Sequence, residues 1–351
     1  MKVLFLTRFG RQGASSRMRT FQYQPFFESA GIECVVSPFF SDEMLLNKYN
    51  EGSYRLAAML VSYWRRCRVL ISIREFDLLV IEKEALPWWP VWLERRMLRD
   101  VPYVLDFDDA IFHNYDMNRF AMVRFFFSHR LDMLMEGAKL VSAGNRYLVA
   151  RAEASGAQRI ELVPTVVDLL RYTSSHRSAS PRIVWIGSPS TSQYLLELAE
   201  PLRILSKRMP FTLRVIGAGD FKLMGVDVEP VLWAEGKEAE LIAVCDVGIM
   251  PLRNSPWEQG KCAYKLIQYM AASLPTVSSP IGTNLEVVVD GETGFFADST
   301  NEWIGQLELL LRDAAMRKRM GAAGRARVEG KYSLQHTAPR LAQLLKEAAG
   351  A

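Results

Sequence analysis

The stretch from residue 260 to residue 286 reads Gly-Lys-Cys-Ala-Tyr-Lys-Leu-Ile-Gln-Tyr-Met-Ala-Ala-Ser-Leu-Pro-Thr-Val-Ser-Ser-Pro-Ile-Gly-Thr-Asn-Leu-Glu. Its pattern predicts a helix, a short apolar strand over Thr276–Ser278, a glycine turn and a second helix. Such a unit is typical of a parallel sheet, whose strands are joined by helical crossovers. Two helix N-termini close in sequence favour an anion site, since their first amides lack intrahelical partners.

The same alternation extends over the whole chain and predicts an α/β fold with six strands in each half. The strands are expected at Lys2–Thr7, Glu33–Ser37, Leu78–Glu82, Tyr103–Asp106, Leu140–Ala143, Ile160–Val163, Arg182–Gly187, Thr212–Gly217, Val226–Pro230, Val247–Met250, Thr276–Ser278 and Gly294–Phe296. Polar Thr173–Pro181 is predicted to be a linker. Residues 1–175 and 176–335 are therefore expected to form two Rossmann-like domains that face each other across a cleft. A C-terminal helix over 336–351 is a candidate for packing back on the first domain.

Composition limits the possible functions. The chain of 351 residues is 49% hydrophobic and 23% charged, which is typical of a globular protein and not of a disordered one. A net charge of +4 is too weak to indicate nucleic acid. The four cysteines and four histidines lack metal-binding spacing, so we expect no structural zinc site. The apolar run that begins at Met1 is too short for a signal peptide, so we expect a cytoplasmic protein.

Lysines near a predicted helix start are the strongest sign of a phosphate site. We expect that helix to begin near Gln259 or Gly260, which places Lys261, Lys265 and Gln268 on one face. Two lysines at a helix N-terminus oppose its dipole, and a diphosphate there compensates both. The alternative interpretation is a solvated lysine face.

In the first half, the segment after the first strand contains Gly13, Ser15, Ser16, Arg17 and Arg19. One interpretation is a loop that binds a phosphate or an acceptor at a helix N-terminus. The other is a helix capped by its serines, with solvated arginines.

Three carboxylates, Asp106, Asp108 and Asp109, follow the strand at Tyr103. One of them is a candidate base or ligand for a sugar hydroxyl, and carboxylate oxygens also suit Mg²⁺. The alternative is an acidic turn that caps the next helix. Clustered charge beside apolar neighbours favours a functional role.

Residues 258–294 resemble the donor-site signature of the retaining GT-B glycosyltransferases of family 4, in a variant similar to surface-polysaccharide enzymes. Arg8–Arg19, Asp106–Asp109, Asn145 and Pro164–Asp168 support the resemblance. Of the two glutamates that this family spaces eight residues apart, the first falls on Gly260 and the second on Gln268. Glu258 is a candidate to replace the first glutamate.

The resemblance implies a metal-independent hexosyltransferase that moves sugar, with retention, from a nucleotide-diphosphate sugar to a lipid-linked saccharide or a surface-polysaccharide intermediate. It assigns catalysis to Asp106, Asp109 and Lys261, and acceptor or phosphate contacts to Gly13, Ser15, Ser16 and Arg17. Donor binding is implied for Gly187, Ser188, Gly217, Lys261, Lys265, Gln268, Thr283, Asn284, Leu285 and Glu286.

Two basic stretches rich in aromatic residues, Tyr54–Arg74 and Asn118–Arg130, are consistent with peripheral contact to the inner face of a membrane. The alternative is ordinary helices with one core face. Two other functions compete with sugar transfer, namely a nucleotide-sugar epimerase of GT-B shape and a non-catalytic scaffold that binds nucleotide sugars. Missing histidines in the 258–294 signature disfavour the epimerase, and Gly260 favours the scaffold.

Overall fold

A computed structural model describes residues 1–172 and 180–350. These residues fall into two compact units. The first contains Met1–Thr165, Gln259–Cys262 and the chain from Thr337 onward, and the second contains Val166–Glu258 and Ala263–His336. The predicted linker lies almost wholly outside the described residues, as does the predicted boundary between residues 175 and 176.

The first unit is built on one parallel sheet of six strands in the order β2-β1-β3-β4-β5-β6. Its strands are β1 (Lys2–Phe9), β2 (Glu33–Phe40), β3 (Leu78–Glu82), β4 (Tyr103–Phe107), β5 (Leu140–Ala143) and β6 (Ile160–Leu162). Helices connect them: α1 (Ala14–Arg19), α2 (Gln24–Ser29), α3 (Asp42–Glu51), α4 (Leu56–Ile71), α5 (Val91–Leu98), α6 (His113–Asp116), α7 (Ala121–Phe127), α8 (Arg130–Gly137) and α9 (Arg146–Ala154).

The second unit repeats this plan with the strand order β12-β11-β10-β7-β8-β9. Its strands are β7 (Arg182–Ile186), β8 (Thr212–Ile216), β9 (Asp227–Val231), β10 (Val247–Met250), β11 (Thr276–Ser278) and β12 (Gly294–Phe296). The helices are α10 (Gln193–Leu196), α11 (Ala199–Arg208), α12 (Glu238–Ala243), α13 (Pro256–Gln259), α14 (Tyr264–Ala271), α15 (Asn284–Val287), α16 (Thr300–Arg312) and α17 (Ala314–Lys331). Helix α18 (Leu334–Ala349) begins in the second unit and belongs to the first unit from Thr337 onward. Short 3₁₀ turns occur in both units, at Phe21–Tyr23, Ile73–Glu75, Leu169–Arg171 and Pro189–Thr191.

All twelve predicted strands are present, with ends that differ from the predictions by a few residues at most. Strands buried on both faces read as continuous apolar runs, and residues Val3–Leu6 of β1 are each at most 1% exposed. In the second unit, α11 and α16 pack on one face of the sheet, while α14 and α17 pack together in the opposite core. The α/β prediction is therefore confirmed.

One helix prediction is wrong. The helix that we expected to begin near residue 260 is divided into α13 and α14, because Ala263 adopts a left-handed conformation with φ 51°. Lys261 lies in the turn between them and therefore shares no helical face with Lys265 and Gln268.

In both sheets, the strand order reverses beside the first strand of the unit, between β1 and β3 and between β7 and β10. Doubly wound sheets bind their ligands at such switch points, beyond the carboxyl ends of the strands. The candidate positions for a site are therefore the loops at these switch points. They follow β1, β3 and β4 in the first unit, and β7, β8, β10 and β11 in the second.

Helix α17 reaches close packing through a glycine. A Cβ atom at Gly321 would fall on the backbone carbonyl group of Ser273, whereas no described atom lies within 4 Å of a Cβ built at Gly330 of the same helix. We predict that Gly321→Ala lowers the free energy of unfolding by about 1–3 kcal/mol, the usual cost of overpacking. Gly330→Ala is the matched control and should stabilise by up to about 1 kcal/mol through helix propensity. Urea denaturation measures both, and equal effects would contradict the packing described for α17.

Candidate functional site

A buried ion pair organises the carboxyl edge of the first sheet. The Arg19 guanidinium donates from Nε and Nη2 to the two Asp106 oxygens, at 2.8 and 2.5 Å. Its Nη1 donates to the Val163 carbonyl at 2.7 Å, and the Ser142 hydroxyl also donates to Asp106 at 2.6 Å. Both Asp106 oxygens are therefore engaged in structural contacts, and we do not retain Asp106 as a candidate base. Arg19, expected to face a phosphate or an acceptor, is buried.

The serines of the first loop bind side chains instead of capping a helix. Helix α1 begins after Gly13, which packs against Phe9 and has no side chain to accept a hydrogen bond. The Ser16 hydroxyl donates a hydrogen bond to Glu82 at 2.5 Å and accepts one from the Phe9 backbone amide at 3.0 Å. The Ser15 hydroxyl donates to Asp108 at 2.5 Å. The capping interpretation of Ser15 and Ser16 is therefore wrong.

Arg17 braces the same loop. Its side chain is only 3% exposed, and Nη1 donates to the carbonyls of Arg11 and Gln12 at 3.3 and 3.5 Å. This placement gives Arg17 a structural role in the loop. Its contact with a phosphate or an acceptor remains a prediction.

Sequence reasoning missed Glu82, the last residue of β3, and Lys83, which follows it. The Lys83 ammonium lies 2.8 Å from Asp108 Oδ1 and donates to Ser15 Oγ at 3.1 Å. Lys83 has φ 70°, a left-handed conformation that costs a lysine about 1–3 kcal/mol. Two charged residues at the end of an apolar strand were the available signal, because charge there is costly unless a partner or a ligand compensates it.

The three aspartates differ in their electrostatics. Burial acts to raise the pKa of Asp108, but the ammonium of Lys83 and hydrogen bonds from Lys83 and Ser15 hold it below the usual value. Burial raises the pKa of Asp109, against the opposing charges of Lys83 and Lys261. In the described part of the chain, the Asp109 carboxylate accepts one hydrogen bond, from the Ala110 amide at 2.9 Å. Asp109 thus remains the candidate base.

The segment Gln259–Cys262 belongs to the first unit, not to the second as the predicted domain limits imply. Asn145 donates to the carbonyls of Gln259 and Lys261 at 3.3 and 3.1 Å, and the Cys262 thiol donates to the Asp108 carbonyl at 3.1 Å. A Cβ at Gly260 would lie 2.8 Å from the Ala110 nitrogen. Steric crowding therefore explains why a glycine stands where the resembling family has its first glutamate.

Glu258, the candidate replacement for that glutamate, belongs to the second unit and is buried. Its carboxylate accepts hydrogen bonds from Tyr194 and Ser255. These contacts fix the start of α13. They give the carboxylate a structural role and provide no support for the replacement.

In the second unit, close backbone approach marks the edge after β7 and β8. A Cβ at Gly217, where φ is 85°, would lie 2.5 Å from the Gly187 carbonyl oxygen, and a Cβ at Gly187 would lie 2.7 Å from Thr191 Oγ1. The Ser188 amide donates to Thr191 Oγ1 at 3.1 Å and begins the next turn. This part of the edge therefore consists of tightly folded backbone, in which neither glycine position has space for a side chain.

Lys265 lies in the first turn of α14. Its ammonium is 4.1 Å from the centre of the Trp185 ring, a cation–π contact with a side chain of β7 that the sequence did not indicate. Gln268 is buried, and its amide donates to Tyr172 at 3.2 Å. The helix therefore places Lys265 beside the loop after β7, whereas the contact of Gln268 is with the core.

The loop after β11 closes on itself. The Asn284 amide donates to the Ser279 carbonyl at 3.0 Å, and Ser279 Oγ accepts the Leu252 amide at 3.0 Å. Thr283 is buried, whereas Leu285 is 54% exposed. The carbonyl of Glu286 accepts Arg327 Nη2 at 2.6 Å. The donor contacts assigned to these four residues of the loop and helix remain predictions.

Residues 1–172 and 180–350 contain neither a metal-binding group of side chains nor a membrane-spanning helix. In that part of the chain, no group of three or more His, Cys, Asp or Glu side chains is placed to hold a metal ion. Within the same residues, no helix has both the length and the apolarity needed to cross a membrane.

Comparisons with known proteins extend these observations. Residues 180–313, less than half of the chain, match the family model described as "Glycosyl transferases group 1". Among solved structures, the sucrose-phosphate synthase from Thermosynechococcus elongatus has a TM-score of 0.74 at 14% identity and covers 99% of this chain and 98% of its own. The chain has the GT-B fold.

Two further GT-B structures are similar over their full length. Anabaena HepE in complex with UDP-glucose has a TM-score of 0.73 at 15% identity, with 99% of this chain and 100% of that chain covered. WaaG, a glycosyltransferase involved in lipopolysaccharide biosynthesis, has a TM-score of 0.69 at 13% identity, with 98% and 99% covered. No curated protein matches the sequence significantly. The family match and the fold together support sugar transfer by a GT-B glycosyltransferase.

The different environments of Asp106 and Asp109 yield a prediction. Asp106→Asn should lower the free energy of unfolding by about 3–5 kcal/mol, because it leaves the buried Arg19 cation without its counter-charge. Asp109→Asn should leave stability unchanged or raise it slightly at neutral pH. A folded-state pKa above the unfolded value means that ionised Asp109 destabilises the native state there.

Chemical denaturation of the two variants at neutral pH measures this difference. A large loss for Asp109→Asn together with a small one for Asp106→Asn would contradict the roles described.

Proposed function

We propose that this protein is a retaining hexosyltransferase that uses a nucleoside-diphosphate sugar and acts on a lipid-linked saccharide or a surface-polysaccharide intermediate. The observation that carries the proposal is the second unit, which matches the group 1 model over residues 180–313 and carries Lys265 beside the glycine edge after β7. The HepE complex with UDP-glucose supports a nucleotide-sugar donor, and WaaG supports an acceptor of the polysaccharide type.

The donor diphosphate is proposed to bind at the loops after β7, β8 and β11 and at the start of α14. Gly187 and Gly217 allow the backbone to approach phosphate oxygens, as glycines do at other phosphate sites. Ser188, Thr283 and Asn284 lie in the loops that follow β7 and β11, and Lys265 supplies positive charge. Leu285 and Glu286 complete the proposed donor set, and Gln268 supports it from the core.

In the proposed reaction, the bond between the anomeric carbon and the diphosphate oxygen breaks, and the nucleoside diphosphate leaves with the electron pair. An acceptor hydroxyl oxygen forms the new bond to that carbon on the same face, so that the configuration is retained. The hydroxyl proton passes to a base, for which Asp109 is the candidate. Lysines, including Lys261 and Lys265, are proposed to stabilise the charge on the leaving group without a metal ion or cofactor.

Peripheral contact with a membrane is part of the proposal. Exposed apolar side chains lie on α4 and α7 of the first unit, including Trp64 at 61% and Phe125 at 78% exposed. Aromatic contacts join each helix to the segment before α5, because Tyr63 of α4 stacks with Trp89 at 5.8 Å and Phe127 of α7 contacts Trp88 at 6.3 Å. We give the name aromatic surface to the exposed apolar and aromatic side chains that lie between Trp64 and Phe127 in the sequence.

Arginines accompany the exposed rings of the aromatic surface. The Arg68 guanidinium lies 4.8 Å from the Trp64 ring centre, and that of Arg119 lies 4.5 Å from the Phe120 ring centre. Apolar side chains mixed with cations suit the interface of a bilayer that contains anionic lipids, such as the cytoplasmic leaflet. A lipid-linked acceptor would be encountered at that interface.

The donor assignment predicts a selective thermal shift. UDP, GDP, ADP and CMP are each added with and without Mg²⁺, and one nucleoside diphosphate should raise the melting temperature equally in both conditions. Lys265→Ala should reduce this shift and weaken nucleotide binding about tenfold, because it removes the ammonium beside the β7 loop. Lys318→Ala, at an exposed position of α17, is the matched control.

Unchanged nucleotide affinity in Lys265→Ala would remove Lys265 from the donor site. No shift with any nucleotide would argue against a preformed donor site.

The aromatic surface predicts binding to vesicles. The protein should cosediment with vesicles that contain phosphatidylglycerol and less so with phosphatidylcholine alone, since the arginines require anionic lipid. The double variant Phe125→Ser/Phe126→Ser should lose most of this binding. Met224→Ser, a change at a 92% exposed apolar residue of the second unit, is the control. Equal binding by the double variant and the wild type would contradict membrane contact through this surface.

A further inference from the structure

Lys83 has a backbone conformation that is unfavourable for a residue with a side chain. Its φ of 70° is a conformation that glycine adopts without strain. The backbone nitrogen donates to the Asp106 carbonyl at 2.9 Å, which fixes the turn after β3. The side chain is only 5% exposed, although it carries an ammonium group. A lysine in this conformation at this depth points to a role for the ammonium itself.

The Lys83 ammonium binds two side chains from different segments. Asp108, which follows β4, lies at 2.8 Å, and Ser15, in the first turn of α1, lies at 3.1 Å. Ser15 also donates to the second Asp108 oxygen. Lysine, serine and aspartate therefore form a closed triangle that joins α1 to the loops after β3 and β4 at the switch point of the first sheet.

This triangle uses both oxygens of Asp108, just as Arg19 and Ser142 use those of Asp106. The Asp109 carboxylate differs from both, because in the described part of the chain it makes no ion pair and accepts one hydrogen bond, from the Ala110 amide. Among the three aspartates, its carboxylate therefore has the most hydrogen-bonding capacity left for a further group. A hydroxyl group is the natural partner for an ionised carboxylate at such an edge.

We propose that Lys83 is a positioning residue of the acceptor site: its ammonium holds Ser15 and Asp108 in place and so presents Asp109 to a hydroxyl of a saccharide acceptor. This inference rests on the proposed function, which it deepens by naming the acceptor side and the group that arranges it. Lys83 acts through its neighbours and need not touch the acceptor.

Charged groups from every neighbouring segment act on this cluster. Glu82 on β3 and Asp108 and Asp109 after β4 are negative, whereas Lys83, Arg8 on β1, Arg19 on α1 and Lys261 in the segment Gln259–Cys262 are positive. Burial raises the pKa of Asp109, and the charge of Lys83 opposes that rise. Removal of the ammonium should therefore raise the pKa of Asp109 further and shift its titration to higher pH.

The first test needs no ligand. Titration of ¹³C-labelled aspartate side chains by NMR, with the signal of Asp109 assigned from Asp109→Asn, measures the midpoint in the wild type and in Lys83→Gly. Glycine suits the left-handed backbone, so this variant should fold. We expect the Asp109 midpoint to rise in Lys83→Gly, to return in part in Lys83→Arg, and to be unaffected in the exposed control Lys139→Met. An unchanged midpoint in Lys83→Gly would overturn the inference.

The second test uses transfer from a nucleotide sugar that the wild type accepts. Lys83→Gly should lower kcat roughly 10- to 100-fold through misplacement of Asp109. The acid limb of its pH profile should move upward, while the thermal shift with the nucleoside diphosphate should equal that of the wild type. Wild-type kinetics and pH profile in Lys83→Gly would overturn the inference and leave the proposed function intact. A wild type that transfers no sugar would overturn the proposed function and the acceptor role together.

Discussion

The buried ion pair of Arg19 and Asp106 is the interaction on which the arrangement of the first unit depends. One guanidinium binds the end of β4 through Asp106, the β5 side chain Ser142 and the chain after β6 through the Val163 carbonyl. Because Arg19 ends α1, the pair also fixes this helix, which carries Ser15 and Ser16. A buried pair contributes little net stability compared with apolar packing, but its geometry is demanding. It therefore specifies where each loop lies at the carboxyl edge.

This constraint gives the neighbouring charges different tasks. With Asp106 held by Arg19, and Asp108 by Lys83 and Ser15, two of the three aspartates are structural. Asp109 is the remaining carboxylate, and its raised pKa reflects burial without a direct cationic partner in the described part of the chain. The second unit has a different edge, formed by close glycine contacts and by Lys265 on the Trp185 ring. The two units are thus both built on a six-stranded parallel sheet, and they differ in strand order and in the chemistry of their edges.

The fold could be predicted from local patterns because each strand is specified by the residues of its own short segment. A strand buried on both faces must be apolar throughout, so strands such as β1 could be predicted from runs such as Val3–Leu6. The partly exposed strands β2, β6 and β9 were predicted from their alternation with helical segments. The same reasoning failed for the helix expected at Gly260, where contacts distant in sequence override helix propensity. Asn145 binds the carbonyls of Gln259 and Lys261, and Ala110 leaves no space for a side chain at residue 260.

The individual roles of the site residues could not be predicted from the sequence, because they too depend on contacts between residues that are distant in sequence. Ser15 and Ser16 resemble helix caps in sequence, but their partners lie 93 and 66 residues away. Nothing in the order Asp-Phe-Asp-Asp distinguishes a structural aspartate from one with capacity for a ligand. That distinction depends on Arg19 at the end of α1 and on Lys83 after β3, both of which are distant in sequence from the aspartates.

The most direct test of the central claim is detection of sugar transfer itself. The full chain is incubated with nucleoside-diphosphate sugars and an extract of lipid-linked saccharides, and products are separated and weighed by mass spectrometry. We expect an acceptor that has gained one hexose and an equal amount of released nucleoside diphosphate. Nucleotide binding without either product would contradict sugar transfer and indicate a non-catalytic binding protein. An isomerised donor without transfer would indicate an epimerase.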